Sequence, residues 1–196
     1  MAGTVNGGWG NDTYRIVNSD LTLEGDGGID LVESTVTHEL GVDFENLTLV
    51  GMGDVDGKGN DANNVMLGNA GNNVLRGCRG NDIIMGAEGA DKVCGGWGYD
   101  VLNGGPGDDI LKGGRGQDTF VFVQGTGHDT IGDFNPMSAF ERIDVSWMPS
   151  ITGYNDLLHN QMTQEGEDVV IDAGDGDMLT LVGIHIDDLD ASDFLF

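Results

Sequence analysis

Between residues 59 and 121 one apolar position recurs every nine residues. The units 59–67, 68–76, 77–85, 86–94, 95–103, 104–112 and 113–121 carry Met66, Leu75, Ile84, Val93, Leu102, Leu111 and Phe120 at their eighth position. Glycine opens every unit, and glycine stands at position 4 in all but one, where Ala62 replaces it. Position 6 is Asn64 and Asn73, then Asp82, Asp91, Asp100, Asp109 and Asp118. A fixed period of this length marks a repeat architecture, whose units bury a core only by stacking on their neighbours. Positions 7 to 9 read as a short strand and the six residues before them as a turn. Each unit then crosses the molecule once and reverses, so two units make an 18-residue coil. Strand alternation sends position 8 inward and positions 7 and 9 outward. The expected fold is all-β: a parallel β-roll, or β-solenoid, with the position-8 residues as its core.

The same pattern reaches into both flanks. Residues 7–15 (GGWGNDTYR) and 25–33 (GDGGIDLVE) fit the unit, with Asp12 and Asp30 at position 6 and Tyr14 and Val32 at position 8. Between them Leu21, Thr22 and Leu23 alternate as a strand does. From 34 to 50 the period fades, although Leu47, Thr48 and Leu49 alternate again. After Val121 two extra residues intervene, and 124–132 (QGTGHDTIG) restores the unit with Asp129 and Ile131. Farther on, glycine thins. A strand is expected over 142–145, a short helix over 154–160, and a hairpin of 169–172 with 178–182 about Gly174, Asp175 and Gly176. The organisation expected is 1–58 as degenerate N-terminal repeats and flank, 59–133 as the regular roll, and 134–196 as a β-rich C-terminal cap.

Charge sharpens this picture. Thirty-five glycines lack the three-residue period of collagen, and 34 acidic against 8 basic residues give a net charge of −26. Such a surface repels nucleic acid and anionic membranes, and neither is expected as a partner. No apolar run is long enough to span a bilayer, and no basic-then-apolar leader opens the chain, so neither a Sec-type signal nor an anchor is expected. The start falls almost directly into a glycine-rich unit, which reads as a piece of a longer protein.

Position 6 stacks on itself every second unit. One edge carries Asn64, Asp82, Asp100 and Asp118; the other carries Asn73, Asp91, Asp109 and, through the insertion, Asp129. Carboxylates in files about 4.8 Å apart repel, and burial makes the repulsion worse. A cation is needed between them. Carboxylate and backbone carbonyl oxygens, with no Cys or His in the set, suit Ca²⁺ better than Zn²⁺ or Mg²⁺.

The units GNAGNNVLR, GCRGNDIIM, GGWGYDVLN and GGPGDDILK resemble the RTX calcium-binding nonapeptide. The resemblance implies a β-roll with several Ca²⁺ ions between adjacent coils, held by position-6 side chains and turn carbonyls. Carried onto this chain, the ligands are Asp82, Asp91, Asp100, Asp109, Asp118 and Asp129, with the position-4 carbonyls of Gly80, Gly89, Gly98, Gly107 and Gly116. Asp12 and Asp30 form a separate pair, and Asp133 closes the last site. Asn64 and Asn73 depart from the pattern: an amide oxygen ligates without charge, so weaker or absent ions are expected there. The tail (FVFVQGTGHDTIGDF, ERIDVS and TLVGIHIDDLDASDFLF) resembles the C-terminal ends of RTX proteins, which carry an uncleaved type I secretion signal. That implies an extracellular, secreted protein, an ABC transporter as partner, and folding on calcium after export.

Lesser signals remain. Arg79, Trp97 and Arg115 stand 18 residues apart at position 3, and six of the eight basic residues lie between 58 and 115. One reading is a solvated face with cation–π packing. The other is a glycan strip, with Trp97 on a sugar and the arginines on uronate carboxylates, resembling the calcium-binding modules of alginate-modifying enzymes. Cys78 and Cys94 are expected as free thiols and do not form a zinc pattern. His38, His128, His159 and His185 are scattered, and neither HExxH nor GxSxG occurs. No catalytic residue is nominated; the expectation is a module, not an enzyme in its own right.

Overall fold

The computed structural model describes residues 3–18, 21–25 and 27–196. The chain shuttles between two facing sheets. The first runs Thr13–Ile16, Leu31–Ser34, Asn46–Leu49, Val65–Leu67, Ile83–Met85, Val101–Asn103, Thr119–Val123, Arg142–Trp147 and Phe194–Leu195, every neighbouring pair parallel. The second runs His38–Glu39, Gly57–Lys58, Val74–Arg79, Lys92–Gly98, Ile110–Gly116, His128–Ile131 and Asp177–Leu181, also parallel. Asp168–Gly174 and Met162–Glu165 extend it antiparallel, as the Gly174–Gly176 turn predicts. A separate parallel pair, Gly3–Asn6 with Leu21–Glu24, brackets Thr13–Ile16 in the chain.

The register follows the period. Ile84 pairs with Met66 below and Leu102 above, and Val93 with Leu75 and Leu111, each step being 18 residues. The inward column of the first sheet is therefore Tyr14, Val32, Leu47, Met66, Ile84, Leu102, Phe120, Ile143 and Phe194, all buried. Facing it stand Leu75, Val93, Leu111, Ile131 and Leu181. Gly57 occupies this second column next to Leu75, where a methyl would press on Leu47, Leu75 and Met66 side chains. Phe44 and Tyr14 fill the roll's early end, their rings edge to face at 5.2 Å.

The region where the period fades does not leave the solenoid: His38–Glu39 and Asn46–Leu49 take their places in the two sheets. The strands of 134–196 likewise join them, with Phe194–Leu195 pairing beside Arg142–Trp147. Residues 154–161 are helical but short, one α-turn at Tyr154–Asp156 running into a π-turn at Leu157–Gln161, and Leu157 is the buried anchor. No helix among the described residues is long and apolar enough to cross a membrane.

Turn geometry shows where the sequence strains against the repeat. Position 2 of the later units takes positive φ: 116° at Gly96, 100° at Gly105 and 101° at Gly114, but also 85° at Cys78 and 78° at Ala87. A side chain in that region costs about 1 kcal/mol or more that glycine does not. Cys78→Gly and Ala87→Gly are each expected to stabilise the calcium-loaded protein by about 1 kcal/mol, read as a rise in midpoint by thermal or urea unfolding; a fall would show that these turns are held some other way.

Candidate metal centre

The site is assembled by stacking. Position 6 ends each turn just before a strand, so parallel pairing lays each position-6 residue over the one 18 residues earlier. On the first edge, the Asn64 amide N–H donates to Asp82 Oδ1 at 2.7 Å, the Asp82 N–H to Asp100 Oδ1 at 2.8 Å, and the Asp100 N–H to Asp118 Oδ1 at 2.9 Å. On the second edge Asn73, Asp91 and Asp109 donate in the same way to Asp91, Asp109 and Asp129. Both files predicted from the sequence are present. Every position-6 residue from Asn64 to Asp129 is buried.

Only half of each carboxylate is satisfied. The second oxygens of Asp82, Asp91, Asp100 and Asp109 are buried with no hydrogen-bond partner, as is that of Asp12. A native fold rarely leaves such an atom bare, and an ionised oxygen in that state is unstable. These oxygens share a cradle that side chains would fill. A methyl on Gly77, Gly95 or Gly104 would collide with Asp82, Asp100 or Asp109 Oδ2, and the one on Gly77 would also meet the Gly95 carbonyl at 2.6 Å. At position 4, a methyl on Gly98, Gly107 or Gly116 would strike the carbonyl of Gly80, Gly89 or Gly98. At Gly77 and Gly86 a bare carboxylate oxygen, of Asp82 or Asp91, and a turn carbonyl, of Gly95 or Gly104, thus converge where glycine leaves room. Among the described residues no three His, Cys, Asp or Glu side chains gather as a metal cluster. The remaining donors are carbonyl oxygens, which is hard-cation chemistry and fits Ca²⁺.

Burial raises the pKa values of these groups. Asp82 and Asp109 are pushed up to about 7, Asp91 and Asp100 to about 6, and Asp129 to about 8, in each case chiefly by desolvation, with the amide donation from the neighbouring coil opposing it. Asp118 is raised for the same reason. Without a cation the files relieve themselves by taking up protons.

The other expected residues fall out differently. Asp12 and Asp30 are not a separate pair: the Asp12 N–H donates to Asp30 Oδ1 and the Asp30 N–H to Glu45 Oε2, both at 2.8 Å, so they extend the first file through Glu45. Register likewise places buried Glu141 beside Asp118, and desolvation lifts it to about 7. Sequence spacing hid both glutamates, because Glu45 follows Asp30 by 15 residues and Glu141 follows Asp118 by 23. Asp133 is exposed and accepts the N–H groups of Gly113 and Gly114, one on each oxygen, at 3.0 and 3.1 Å. Asp177 does the same for Gly125 and Gly127 but is buried. Asn64 and Asn73 have their side-chain partners within the chain. Arg79, Trp97 and Arg115 come together, with the two guanidiniums 5.3 and 4.9 Å from the indole centroid. Cys78 and Cys94 are free, and Cys78 pairs with Gly96 across the sheet.

The profile of the four-copy RTX calcium-binding nonapeptide repeat matches residues 4–15, 58–93 and 94–131. The chain belongs to the RTX calcium-binding repeat family. It is similar in fold to the extracellular lipase LipA of Serratia marcescens (TM-score 0.56, 19% identity), covering all of this chain and 39% of the lipase. Two subunits of the mannuronan C5-epimerase of Azotobacter vinelandii are also similar. One is 29% identical over 65% of this chain and 89% of its own (TM-score 0.49), the other 30% identical over 75% and 81% (TM-score 0.48). No curated protein sequence matches the chain. This RTX repeat unit is a calcium-binding structural element, not a catalytic one.

The raised carboxylates give the calcium-free roll a defined pH response. Unfolded aspartates titrate near 3.8 and the folded ones at about 6 to 8, so the folded state holds more protons across that window. Stability in chelator is therefore expected to be greatest below about pH 4, to fall as pH rises from there through the folded values, and to level off above about pH 8. Thermal melts in EGTA at pH 5 and pH 8 check this; a midpoint unchanged or higher at pH 8 would mean that the files are not desolvated.

Proposed function

We propose that this RTX module folds when calcium binds after export and thereby supports the secretion and stability of a larger extracellular protein. The single observation that carries the reading is the row of buried, unpartnered oxygens on Asp82, Asp91, Asp100 and Asp109, with a turn carbonyl, Gly95 O or Gly104 O, reaching the same glycine-walled space at Asp82 and Asp91. In a compartment poor in calcium those oxygens oppose folding; in millimolar calcium they favour it. Sites of extracellular type have dissociation constants of about 10⁻⁴ to 10⁻³ M. At tenfold excess each independent ion adds roughly 1.4 kcal/mol to the folded state. Asp82, Asp91, Asp100, Asp109, Asp118 and Asp129 are proposed as side-chain ligands, with the carbonyls of Gly80, Gly89, Gly98, Gly107 and Gly116. Asp12, Asp30 and Glu45 are proposed as a weaker extension.

The tail 134–196 is proposed to carry the type I export signal, with an ABC transporter as partner. Its strands pair with both sheets and close the roll's far end, so the signal would become part of the folded cap only once the roll forms. Polyuronate binding at Arg79, Trp97 and Arg115 is the less favoured reading: the indole is half exposed, but the two arginines already flank it, and a stacked sugar would have to displace one.

The direct test is calcium calorimetry. The native chain is expected to take up several ions with half-saturation in the range of about 0.1 to 1 mM. Asp100→Ala, in the middle of a file, is expected to remove at least one ion and to raise the calcium needed for folding several-fold. Full uptake by Asp100→Ala with unchanged affinity would contradict the ligand assignment, and no uptake by the native chain would end the proposal.

A further inference from the structure

The two files are not uniform, and the change occurs at the same place on both edges. In the coils that carry Asn64 and Asn73, the turn is closed by amide groups where the later coils leave a carboxylate oxygen bare. The Asn60 N–H donates to Asn64 Oδ1 at 2.9 Å, and the Asn69 N–H donates to Asn73 Oδ1 at the same distance. Asn64 Nδ2 donates to Asn60 Oδ1, Phe44 O and Glu45 O at 3.2 to 3.3 Å. Asn73 Nδ2 donates to Asn69 Oδ1 at 2.9 Å and to Val55 O at 2.6 Å. Because each Nδ2 faces only oxygens and each Oδ1 faces an N–H, the orientation of both amides is fixed by their partners.

Position 2 decides which closure forms. In the aspartate coils it has positive φ, at Cys78, Ala87, Gly96, Gly105 and Gly114, whereas Asn60 and Asn69 are not in that region. Their backbone N–H is spent on the position-6 oxygen instead. Their side chains finish the closure: Asn60 Nδ2 donates to Gly41 O and Phe44 O at 2.6 and 2.7 Å, and Asn69 Nδ2 to Gly53 O at 3.0 Å. Asn60 Oδ1 and Asn69 Oδ1 accept the N–H groups of Ala62 and Gly71 at 2.8 and 3.0 Å. The carbonyls that a cation would need are already taken, and the space is lined by N–H donors, which repel it.

We propose that the pairs Asn60–Asn64 and Asn69–Asn73 exclude calcium and hold their coils together without it, so that they form a standing platform on which the calcium-dependent coils stack. The proposal rests on the calcium reading of the aspartate coils. Asn60 and Asn69 are its specificity-determining residues, because their backbone N–H groups satisfy the position-6 Oδ1 and their own Oδ1 atoms accept from the position-6 Nδ2. The platform also prepares the next coil. The Asn64 and Asn73 N–H groups hold Asp82 Oδ1 and Asp91 Oδ1 at 2.7 Å, leaving only the second oxygen of each for an ion. Calcium then governs the length of ordered roll beyond the platform, not the existence of the whole.

The test converts one closure into the other and counts ions in the full chain with CaCl₂ as titrant. Asn60→Gly/Asn64→Asp and Asn69→Gly/Asn73→Asp are each expected to add one ion per molecule by calorimetry and to lower the melting midpoint in EGTA. The reciprocal variant Cys78→Asn/Asp82→Asn keeps a satisfied turn and is expected to lose one ion while melting higher in EGTA than the native chain; it stands if the first variants do not fold. Ion counts that match the native chain in the folded variants would overturn the proposal while leaving the calcium reading intact. A native chain that binds no calcium would overturn both.

Discussion

A buried carboxylate oxygen without a partner is the constraint on which this structure turns. Parallel stacking places position-6 residues about 4.8 Å apart and seals them from water, and the backbone supplies each aspartate with one N–H for two oxygens. The second oxygen must find a proton or a cation. The same stacking brings glycine-walled carbonyls to that oxygen, so the geometry that creates the demand also builds the site that answers it. The core column makes no such demand: Met66, Ile84, Leu102 and Phe120 are buried in one apolar cluster. Apolar burial specifies the roll, while the edges decide when it is stable.

Much of this was legible in the residues. A nine-residue period with an apolar eighth position gave the alternation between sheets and the 18-residue register, because strand pleat and coil length follow directly from spacing. Asp82, Asp100 and Asp118 on one edge, and Asp91, Asp109 and Asp129 on the other, needed only that register. Spacing stops reporting register where insertions and deletions change loop length without changing strand position. Glu45 and Glu141 entered the first file through coils of irregular length, and Asp12 and Asp30 were therefore mistaken for an isolated pair. Asp133 looked like a ligand by sequence position, yet its two oxygens bind turn amides. The role of Asn60 and Asn69 depends on the φ of position 2, and no count of residue types reports a backbone angle.

The same physics explains the composition. A −26 chain repels itself, most strongly at the edges where the carboxylates are closest, and a hard cation there would offset part of that repulsion. Basic residues are few, and those paired in the structure, Arg15 with Glu33, Lys58 with Glu39 and Arg79 with Asp61, lie at the surface, where ion pairs contribute little. Stability must come from the hydrophobic column and from whatever fills the edges. That division suits the proposed folding on calcium.

The most direct measurement is residue-resolved amide hydrogen exchange of the full chain in millimolar calcium and in EGTA at pH 8, where the file carboxylates are most fully ionised. The account predicts that the strands Ile83–Met85, Lys92–Gly98, Val101–Asn103 and Ile110–Gly116 are protected in calcium and exchange at least a hundredfold faster in EGTA. Equal protection of those strands in both conditions would contradict it, because the bare oxygens would then be tolerated without a cation.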